Sequence, residues 1–138
     1  NAEFDFSLDV CASPQNAKCA RYFSSDDDGL SQSWAGEICF CNPPYHRHLI
    51  SAWITKAYEE SRQPDTTVAL LIPTYYREYS WWKKYCVKGQ VRFIHPFVRF
   101  QRCDGEGTAL KDVILIVLGK KYKPMTSGPV IGMNQTSA

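Results

Sequence analysis

Glu37-Ile-Cys-Phe-Cys-Asn42-Pro43-Pro44-Tyr45 is the stretch that decides the fold of this chain. Its first five residues form a short apolar run typical of a buried strand, and a helical pattern begins soon after Tyr45. Two consecutive prolines fix φ and remove two N–H donors, and the first restricts Asn42 to extended geometry. The stretch therefore predicts a strand followed by a stiff loop that presents an amide side chain and bare carbonyl oxygens.

This loop has an ordinary interpretation and a functional one. Asn before Pro, and Pro-Pro itself, are common in turns that carry no chemistry. However, the order strand, loop, helix is where open α/β sheets place their binding sites. The acceptor oxygens suit the planar amino group of a nucleobase, and the ring of Tyr45 can stack on such a base. We therefore take Asn42, Pro43, Pro44 and Tyr45 as the candidate catalytic residues.

Hydrophobic patterning outside this stretch predicts alternating strands and helices. The continuous apolar run at 67–72 is typical of a buried parallel strand, and apolar residues recur at helical spacing in 49–61. We predict strands at 4–9, 37–41, 67–72, 90–94, 98–101 and 113–118, helices at 14–23, 49–61 and 78–87, and a helical turn near Leu30. Such alternation predicts an α/β fold with a mostly parallel sheet and an antiparallel finish.

Length and composition are those of one compact globular domain. The chain has 138 residues, of which 44% are hydrophobic and 22% charged. We expect residues 1–119 to form this domain and residues 120–138, rich in Pro, Gly, Ser and Thr, to form a flexible tail. The net charge is only +2, so a nucleic-acid partner would have to be bound by a local basic patch.

The hydrophobic pattern of the sequence shows no targeting signal. No apolar run approaches the ~20 residues of a membrane span, and no signal peptide is visible, so we expect no membrane partner and an intracellular location. The chain begins with Asn rather than Met. We therefore expect it to be a fragment whose upstream elements lie outside this sequence.

The six cysteines are better explained as free thiols than as disulfides or zinc ligands. Cys39 and Cys41 lie in an apolar strand, where reduced thiols are commonly buried. Zinc is the alternative, because His46 and His48 follow Cys39 and Cys41. Cys-x-Cys spacing does not match common structural zinc sites, so we expect no metal.

Residues spread over most of the chain resemble those of the phage-type DNA N6-adenine methyltransferase (Dam) family. The order and spacing agree over roughly residues 4 to 118, which is far more specific than a lone tetrapeptide. The matching segments are Phe6-Ser-Leu-Asp9-Val-Cys-Ala-Ser13, Asn16-Ala-Lys-Cys19, Tyr22-Phe23, Asp28-Gly-Leu30 before Trp34, Cys41-Asn-Pro-Pro-Tyr45, Trp53-Ile-Thr-Lys-Ala57 and Leu71-Ile-Pro73.

The resemblance implies a class I (Rossmann-like) methyltransferase fold that uses S-adenosylmethionine (SAM) to methylate adenine N6 in DNA. It implies that the segment ending the first strand stands in for a Gly-rich cofactor loop, where small residues allow close backbone approach. The implied cofactor-binding residues are Asp9, Val10, Cys11, Ala12, Asp28 and Leu30. Asp9 would hold the cofactor's ammonium group by a charge-assisted hydrogen bond, although Asp28 also fits a solvated acidic turn.

DNA contacts are expected from basic residues near the candidate site, namely Arg47, Arg77, Lys83, Lys84 and Arg99. Each of these also fits ordinary solubilising surface. Of Trp81 and Trp82, one should be in the core because adjacent helical residues point apart. The segments 74–82 and 94–97 depart from the family pattern, so the sequence does not indicate which DNA site is recognised.

Two alternatives remain open at this point. A protein glutamine methyltransferase also uses Asn-Pro-Pro-Tyr to hold an amide nitrogen. A catalytically silent nucleic-acid-binding domain is suggested by the short segment 24–36, which leaves little room for a full cofactor wall. SAM binding and methylation of DNA against protein acceptors separate these possibilities. The sequence indicates nothing about oligomeric state.

Overall fold

In this computed structural model the two described α-helices lie between strands in the middle of the chain, and the last four strands follow with no helix in the described residues between them. The structure describes the backbone of residues 4–94, 98–101 and 108–119, and the side chains of 4–94 and 112–119. The strands are β1 (Leu8–Asp9), β2 (Ile38–Cys41), β3 (Thr67–Pro73), β4 (Gln90–Phe93), β5 (Val98–Gln101), β6 (Thr108–Lys111) and β7 (Val113–Gly119). The helices are α1 (Ile50–Ser61) and α2 (Ser80–Lys84), with 3-10 turns at Gly29–Ser31, Thr74–Glu78 and Cys86–Lys88.

A five-stranded, mostly parallel sheet has the order β1-β2-β3-β7-β4. The first three strands pair in parallel, and β7 pairs antiparallel to both β3 and β4. The expected α/β fold with a mostly parallel sheet and an antiparallel finish is thereby confirmed. Because β1, β2 and β3 run the same way, their carboxyl ends meet at one edge, and the segments that leave this edge can form a common site.

Apolar side chains are buried on both faces of the sheet. Alternate residues of β3 and β7 pack into one cluster that includes the buried face of α1, with Ile50, Trp53 and Ile54. The intervening residues, including Leu71 and Leu115, join Phe4 and Phe40 in a second cluster. This burial on two faces explains why β3 and β7 appear in the sequence as continuous apolar runs rather than alternating ones.

The predicted helix at 14–23 is wrong. Residues 14–20 form turns and bends, and Tyr22 makes an isolated parallel bridge with Asp9. The backbone N–H of Asp9 donates to the Arg21 carbonyl at 3.1 Å, and that of Phe23 donates to the Asp9 carbonyl at 2.9 Å. Tertiary pairing of this segment with β1 therefore replaces the local helix, although Ser13-Pro14 is a good helix start by itself.

The predicted helix at 78–87 is confirmed only in its middle, where α2 spans five residues between two 3-10 turns. The buried side chains of this region are Tyr76, Trp81 and Cys86, which recur every five residues. A continuous α-helix has 3.6 residues per turn, so side chains five residues apart would point in different directions around it. The breaks let all three side chains reach the core, and Trp81 is the core tryptophan expected of the pair.

Several other expectations differ from the structure in detail. Only Leu8–Asp9 of the first predicted strand pairs in the sheet, and β6 was not predicted at all. β5 and β6 form a separate two-stranded antiparallel sheet. The 3-10 turn at Gly29–Ser31 confirms the expected turn near Leu30. The predicted tail at 120–138 lies outside the described residues.

Candidate active site

The ends of β1 and β2 open into one cleft with a volume of about 730 Å³. These strands are neighbours, with Leu8 aligned on Cys39 and Asp9 on Phe40, so their exit loops lie side by side. The lining residues come from three segments, from α1 and from the residue just before it: Val10, Cys11, Ala12, Ser13, Pro14 and Asn16; Phe23, Ser24, Ser25, Asp26, Asp28, Gly29 and Leu30; Asn42, Pro43 and Pro44; and Leu49 and Trp53. A cleft of this size is typical of small-molecule and cofactor sites.

The first wall is the loop after β1, which contributes Val10, Cys11 and Ala12 to the cleft. Asp9 itself is 2% exposed and is not one of the described lining residues. Its carboxylate accepts the backbone N–H groups of Cys11 at 3.3 Å and Lys18 at 3.0 Å. The side chain therefore fastens the loop that forms the wall, and its contact with an ammonium group stays a prediction.

Burial dominates the electrostatics of Asp9. Desolvation raises its pKa to about 6, against the opposing effect of the N–H donors of Lys18 and Cys11 and of the Lys18 charge. Desolvation, with a smaller effect of the Asp9 charge, also raises the pKa of the Cys11 thiol to about 11. Cys11 thus lines the cleft as a neutral, weakly polar side chain and not as a nucleophile.

The second wall is the segment 23–30, which overlaps the stretch 24–36 whose shortness suggested the silent nucleic-acid-binding domain. It contributes seven lining residues, among them Asp28 and Leu30, two of the candidate cofactor-binding residues. Asp28 is exposed and has a left-handed backbone, with φ of 53°. Gly29 follows and packs so closely that a Cβ atom there would lie 2.3 Å from the Val10 carbonyl oxygen. Glycine is therefore required where the two walls touch.

The loop after β2 brings Asn42, Pro43 and Pro44 to the cleft. Asn42 is partly buried, Pro43 is buried and Pro44 is exposed. The loop leads directly into α1, whose Trp53 also lines the cleft. Three of the four candidate catalytic residues are thus placed within one space with the β1 loop.

Tyr45, the fourth candidate, lies beside the cleft rather than among its described lining residues. Its hydroxyl oxygen is 2.6 Å from Asn42 Oδ1 and 3.2 Å from the carbonyl oxygen of Leu71. Burial raises its pKa well above the usual value for tyrosine, with smaller effects of the Cys41 thiol and the Tyr75 and Tyr76 phenols. The hydroxyl is therefore a permanent donor at neutral pH, and its partner is the side chain expected to hold the target.

The predicted DNA-contacting residues are dispersed. Arg47, Arg77, Lys83 and Lys84 are exposed, and the backbone of Arg99 lies in β5 while its side chain is outside the described residues. Arg77 lies over the Phe93 ring at 5.5 Å and Lys84 over the Tyr85 ring at 5.2 Å. Arg47 follows the Asn-Pro-Pro-Tyr loop, whereas Arg77 follows β3, so they flank the same edge of the sheet.

Sequence reasoning missed two exposed aromatic side chains at this edge. Tyr75 is 59% exposed and Tyr79 is 37% exposed, in the segment that follows β3. Tyr75 is near enough to Tyr45 to affect its pKa. Tyr76 lies between Tyr75 and Tyr79, tilted against the first ring at a centroid distance of 4.5 Å and edge-on to the second at 5.1 Å. The dense run of aromatic residues was visible in the sequence, but exposure depends on how the 3-10 turn packs.

The cysteines are free thiols throughout the part of the chain whose side chains are described. Cys39, Cys41 and Cys86 are buried as expected, while Cys11 and Cys19 are partly exposed. No group of three or more possible ligands converges as a metal site in residues 4–94, 98–101 and 108–119. No helix in those ranges is long and apolar enough to span a membrane.

The fold and the cleft define an α/β protein whose site is built at the carboxyl edge of parallel strands. The chain belongs to the DNA N-6-adenine-methyltransferase (Dam) family, whose model matches residues 1–128. This match confirms the resemblance found in the sequence.

Two curated relatives are similar to parts of the chain. A DNA N-6-adenine-methyltransferase of Haemophilus phage HP1 is 32% identical over 72 residues, which are 52% of this chain and 39% of the relative. An Escherichia coli K12 protein named as a candidate methyltransferase, YfdM, is 37% identical over 46 residues, or 29% of this chain and 50% of that protein. The matches thus span half or less of each relative's own length.

Proposed function

We propose that this chain transfers a methyl group from SAM to N6 of adenine in DNA, with the Asn42–Tyr45 loop holding the target amino group. The observation that carries the proposal is that Val10–Ala12 and Asn42–Pro44, from adjacent parallel strands, line the same cleft. One loop suits a cofactor and the other suits an amino group, so donor and acceptor would meet between them. Membership of the Dam family supports this assignment.

The described residues fit SAM on the side of the β1 loop. The lining residues Cys11 and Ala12 have small side chains, which let the backbone approach a ligand closely, and the segment 23–30 closes the opposite side. In the proposed complex Val10, Cys11, Ala12 and Leu30 contact the cofactor, Asp28 faces its ribose or adenine, and Asp9 keeps the loop in place. The bound cofactor supplies an electrophilic methyl group. The parallel strands and their shared edge support the class I methyltransferase fold.

Asn42 and Pro43 would orient the acceptor nitrogen. Adenine N6 is a poor nucleophile because its lone pair is delocalised into the ring. The Asn42 side-chain oxygen and the Pro43 carbonyl oxygen each accept one N6 hydrogen, which favours a pyramidal nitrogen with its lone pair available. Acceptors that are fixed before the substrate arrives need no reorganisation during the reaction. The prolines provide that rigidity, since their ring fixes φ.

DNA would approach the carboxyl edge of the sheet. A base in a duplex must be extruded to reach the cleft, at a cost of a few kcal/mol. Exposed Tyr75 and Tyr79 lie at this edge, and stacking on aromatic rings returns about 1–3 kcal/mol per base. Arg47, Arg77, Lys83 and Lys84 would contact phosphates, because all four are exposed. Action on DNA implies a location inside a cell.

The test is SAM-dependent methylation of PCR-amplified genomic DNA, which carries no modified bases, with N6-methyladenine read by mass spectrometry. We expect the modified base to accumulate with the full chain and not without SAM. Methylation of glutamine in a protein acceptor, instead of DNA, would favour the protein methyltransferase. No feature of the described residues favours that alternative over a DNA methyltransferase. Failure of the folded chain to bind SAM by calorimetry would favour the silent DNA-binding domain, although the wall formed by residues 23–30 now argues against it.

A further inference from the structure

We propose that the Tyr45 hydroxyl is a positioning group that sets which end of the Asn42 side-chain amide faces the target amino group. The proposal deepens the proposed function and rests on it. It assigns to Tyr45 a task separate from base stacking, because the hydroxyl acts through Asn42.

The contact between the two side chains has the geometry of a short hydrogen bond. The Tyr45 hydroxyl oxygen is 2.6 Å from Asn42 Oδ1, within the 2.5–3.0 Å usual for O–H···O bonds. An amide oxygen carries no hydrogen, so in this contact the hydroxyl donates its one proton and the amide oxygen accepts. An amide oxygen has two acceptor positions, and one of these stays available for an N6 hydrogen.

Without such a contact the orientation of the amide would be poorly determined. The oxygen and nitrogen ends of an asparagine side chain are nearly equal in size but opposite in hydrogen-bonding character. A rotation of 180° would place an NH2 donor where the reaction requires an acceptor, opposite the N–H groups of the target. Pro43 and Pro44 do not prevent that rotation, since they restrain only the backbone.

Tyr45 is itself held firmly enough to serve this purpose. Its ring packs against the core cluster on the α1 side of the sheet, and its hydroxyl is also 3.2 Å from the Leu71 carbonyl oxygen of β3. Because the hydroxyl has one proton, which the nearer Asn42 oxygen accepts, packing of the ring against the core is what holds Tyr45 in place. The groups nearest the hydroxyl electrostatically are the Cys41 and Cys11 thiols and the Tyr75 and Tyr76 phenols, and burial keeps the Tyr45 proton in place.

The first test measures the contact in the free protein and needs no methyl transfer. Unfolding equilibria are compared for the wild type, Tyr45→Phe, Asn42→Ala and the double variant, because contacting residues give non-additive effects. We expect Tyr45→Phe to lower the folding equilibrium constant about fivefold in the wild-type background and less than about twofold in the Asn42→Ala background. Additive effects would show that the two side chains do not interact and would overturn the proposal.

The second test measures whether Tyr45 orients the side chain of residue 42, by using a side chain whose two ends are chemically equivalent. Aspartate presents oxygen acceptors in both orientations, so Asn42→Asp removes the need for orientation by Tyr45. We expect Tyr45→Phe to lower the single-turnover rate constant for methylation of PCR-amplified DNA about tenfold in the wild-type background. The KM for DNA, measured at steady state, should change little. In the Asn42→Asp background the same change should cost less than about threefold.

The outcomes separate positioning from a merely structural or stacking role. Phenylalanine keeps the aromatic ring, so loss of stacking does not contribute to either comparison. An equal loss in the wild-type and Asn42→Asp backgrounds would mean that Tyr45 does not act through amide orientation. If Asn42→Asp gives no measurable methyl transfer, the unfolding measurements alone decide the proposal. If neither the wild type nor any variant methylates DNA, the proposed function is wrong, and the unfolding measurements still test the contact between Tyr45 and Asn42.

Discussion

The loops after β1 and β2 leave the same edge of the sheet side by side, yet each obtains its rigidity differently. The loop after β2 is stiffened covalently by Pro43 and Pro44, which restrict the backbone wherever they occur. The loop after β1 has small residues and is held by tertiary contacts, since the buried Asp9 carboxylate accepts N–H groups from Cys11 and Lys18. One wall of the cleft therefore depends on local chemistry and the other on burial.

The largest effect is expected from removing the amide of the proline-stiffened loop. Asn42→Ala should lower methyl transfer about 10²–10³-fold, the loss typical of one preorganised hydrogen-bonding group. SAM binding, measured by calorimetry, should be unchanged because the β1 loop is intact. Gln63→Ala, which truncates an exposed amide beyond α1, is the matched control. Near-normal turnover by Asn42→Ala would contradict the proposed mechanism.

The second prediction concerns the carboxylate that holds the β1 loop. The pKa of Asp9 is raised from 3.8 to about 6 on folding, so the folded state retains a proton that the unfolded state has lost between these pH values. Stability contributed by this proton is complete below about pH 4 and is lost as pH rises through 6. At 1.36 kcal/mol per pKa unit, the loss is about 3 kcal/mol.

Asp9→Asn removes this titration while keeping the size of the side chain. The free energy of unfolding of the wild type, measured by denaturant titration, should therefore fall relative to Asp9→Asn across this pH range. The control is Asp5→Asn, because Asp5 is exposed on the segment just before β1. A difference between wild type and Asp9→Asn that is independent of pH would refute a buried, proton-retaining carboxyl.

The third prediction tests the contact between the two cofactor walls. Gly29→Ala would place a Cβ 2.3 Å from the Val10 carbonyl oxygen and 3.1 Å from Trp53, so we expect a loss of about 2 kcal/mol and weaker SAM binding. Gly36 provides the contrast, since it has φ of +81° with open space around it. Gly36→Ala should cost about 1 kcal/mol from backbone strain and leave SAM affinity unchanged. Equal SAM affinities in both variants would argue against a shared wall.

The smallest effect is expected at the outer basic residues. Replacing Lys83 and Lys84 by Gln should weaken DNA binding uniformly across sequences and reduce the slope of log affinity against log salt by about 1 per lost phosphate contact. Arg21→Gln is the control, because Arg21 is exposed and pairs with Glu37 just before β2, at the opposite end of the parallel strands. Fluorescence anisotropy with one labelled duplex over a salt series is sufficient. An unchanged slope would remove these lysines from the interface.

The strengths and failures of sequence reasoning follow the same division between local and tertiary causes. The strands at 37–41, 67–72 and 113–118 and the helix at 49–61 were predictable because their burial demands a simple apolar pattern. The segment 14–23 was mispredicted as a helix because its end pairs with Asp9 of β1, and such pairing leaves no mark in a local helical pattern. The contact made by the Tyr45 hydroxyl was missed for a similar reason, since Leu71, which it also contacts, comes 26 residues later.

The sequence alone determined the α/β fold, the family and the covalently stiff Asn-Pro-Pro-Tyr loop, because each of these is expressed in local periodicity or in an ordered set of motifs. Only the tertiary structure decided that the Asp9 carboxylate fastens the loop after β1, that residues 23–30 line the cleft, and that the Tyr45 hydroxyl contacts Asn42. These features depend on desolvation and on distances between segments far apart in the chain, and neither is encoded in the identity of any single residue.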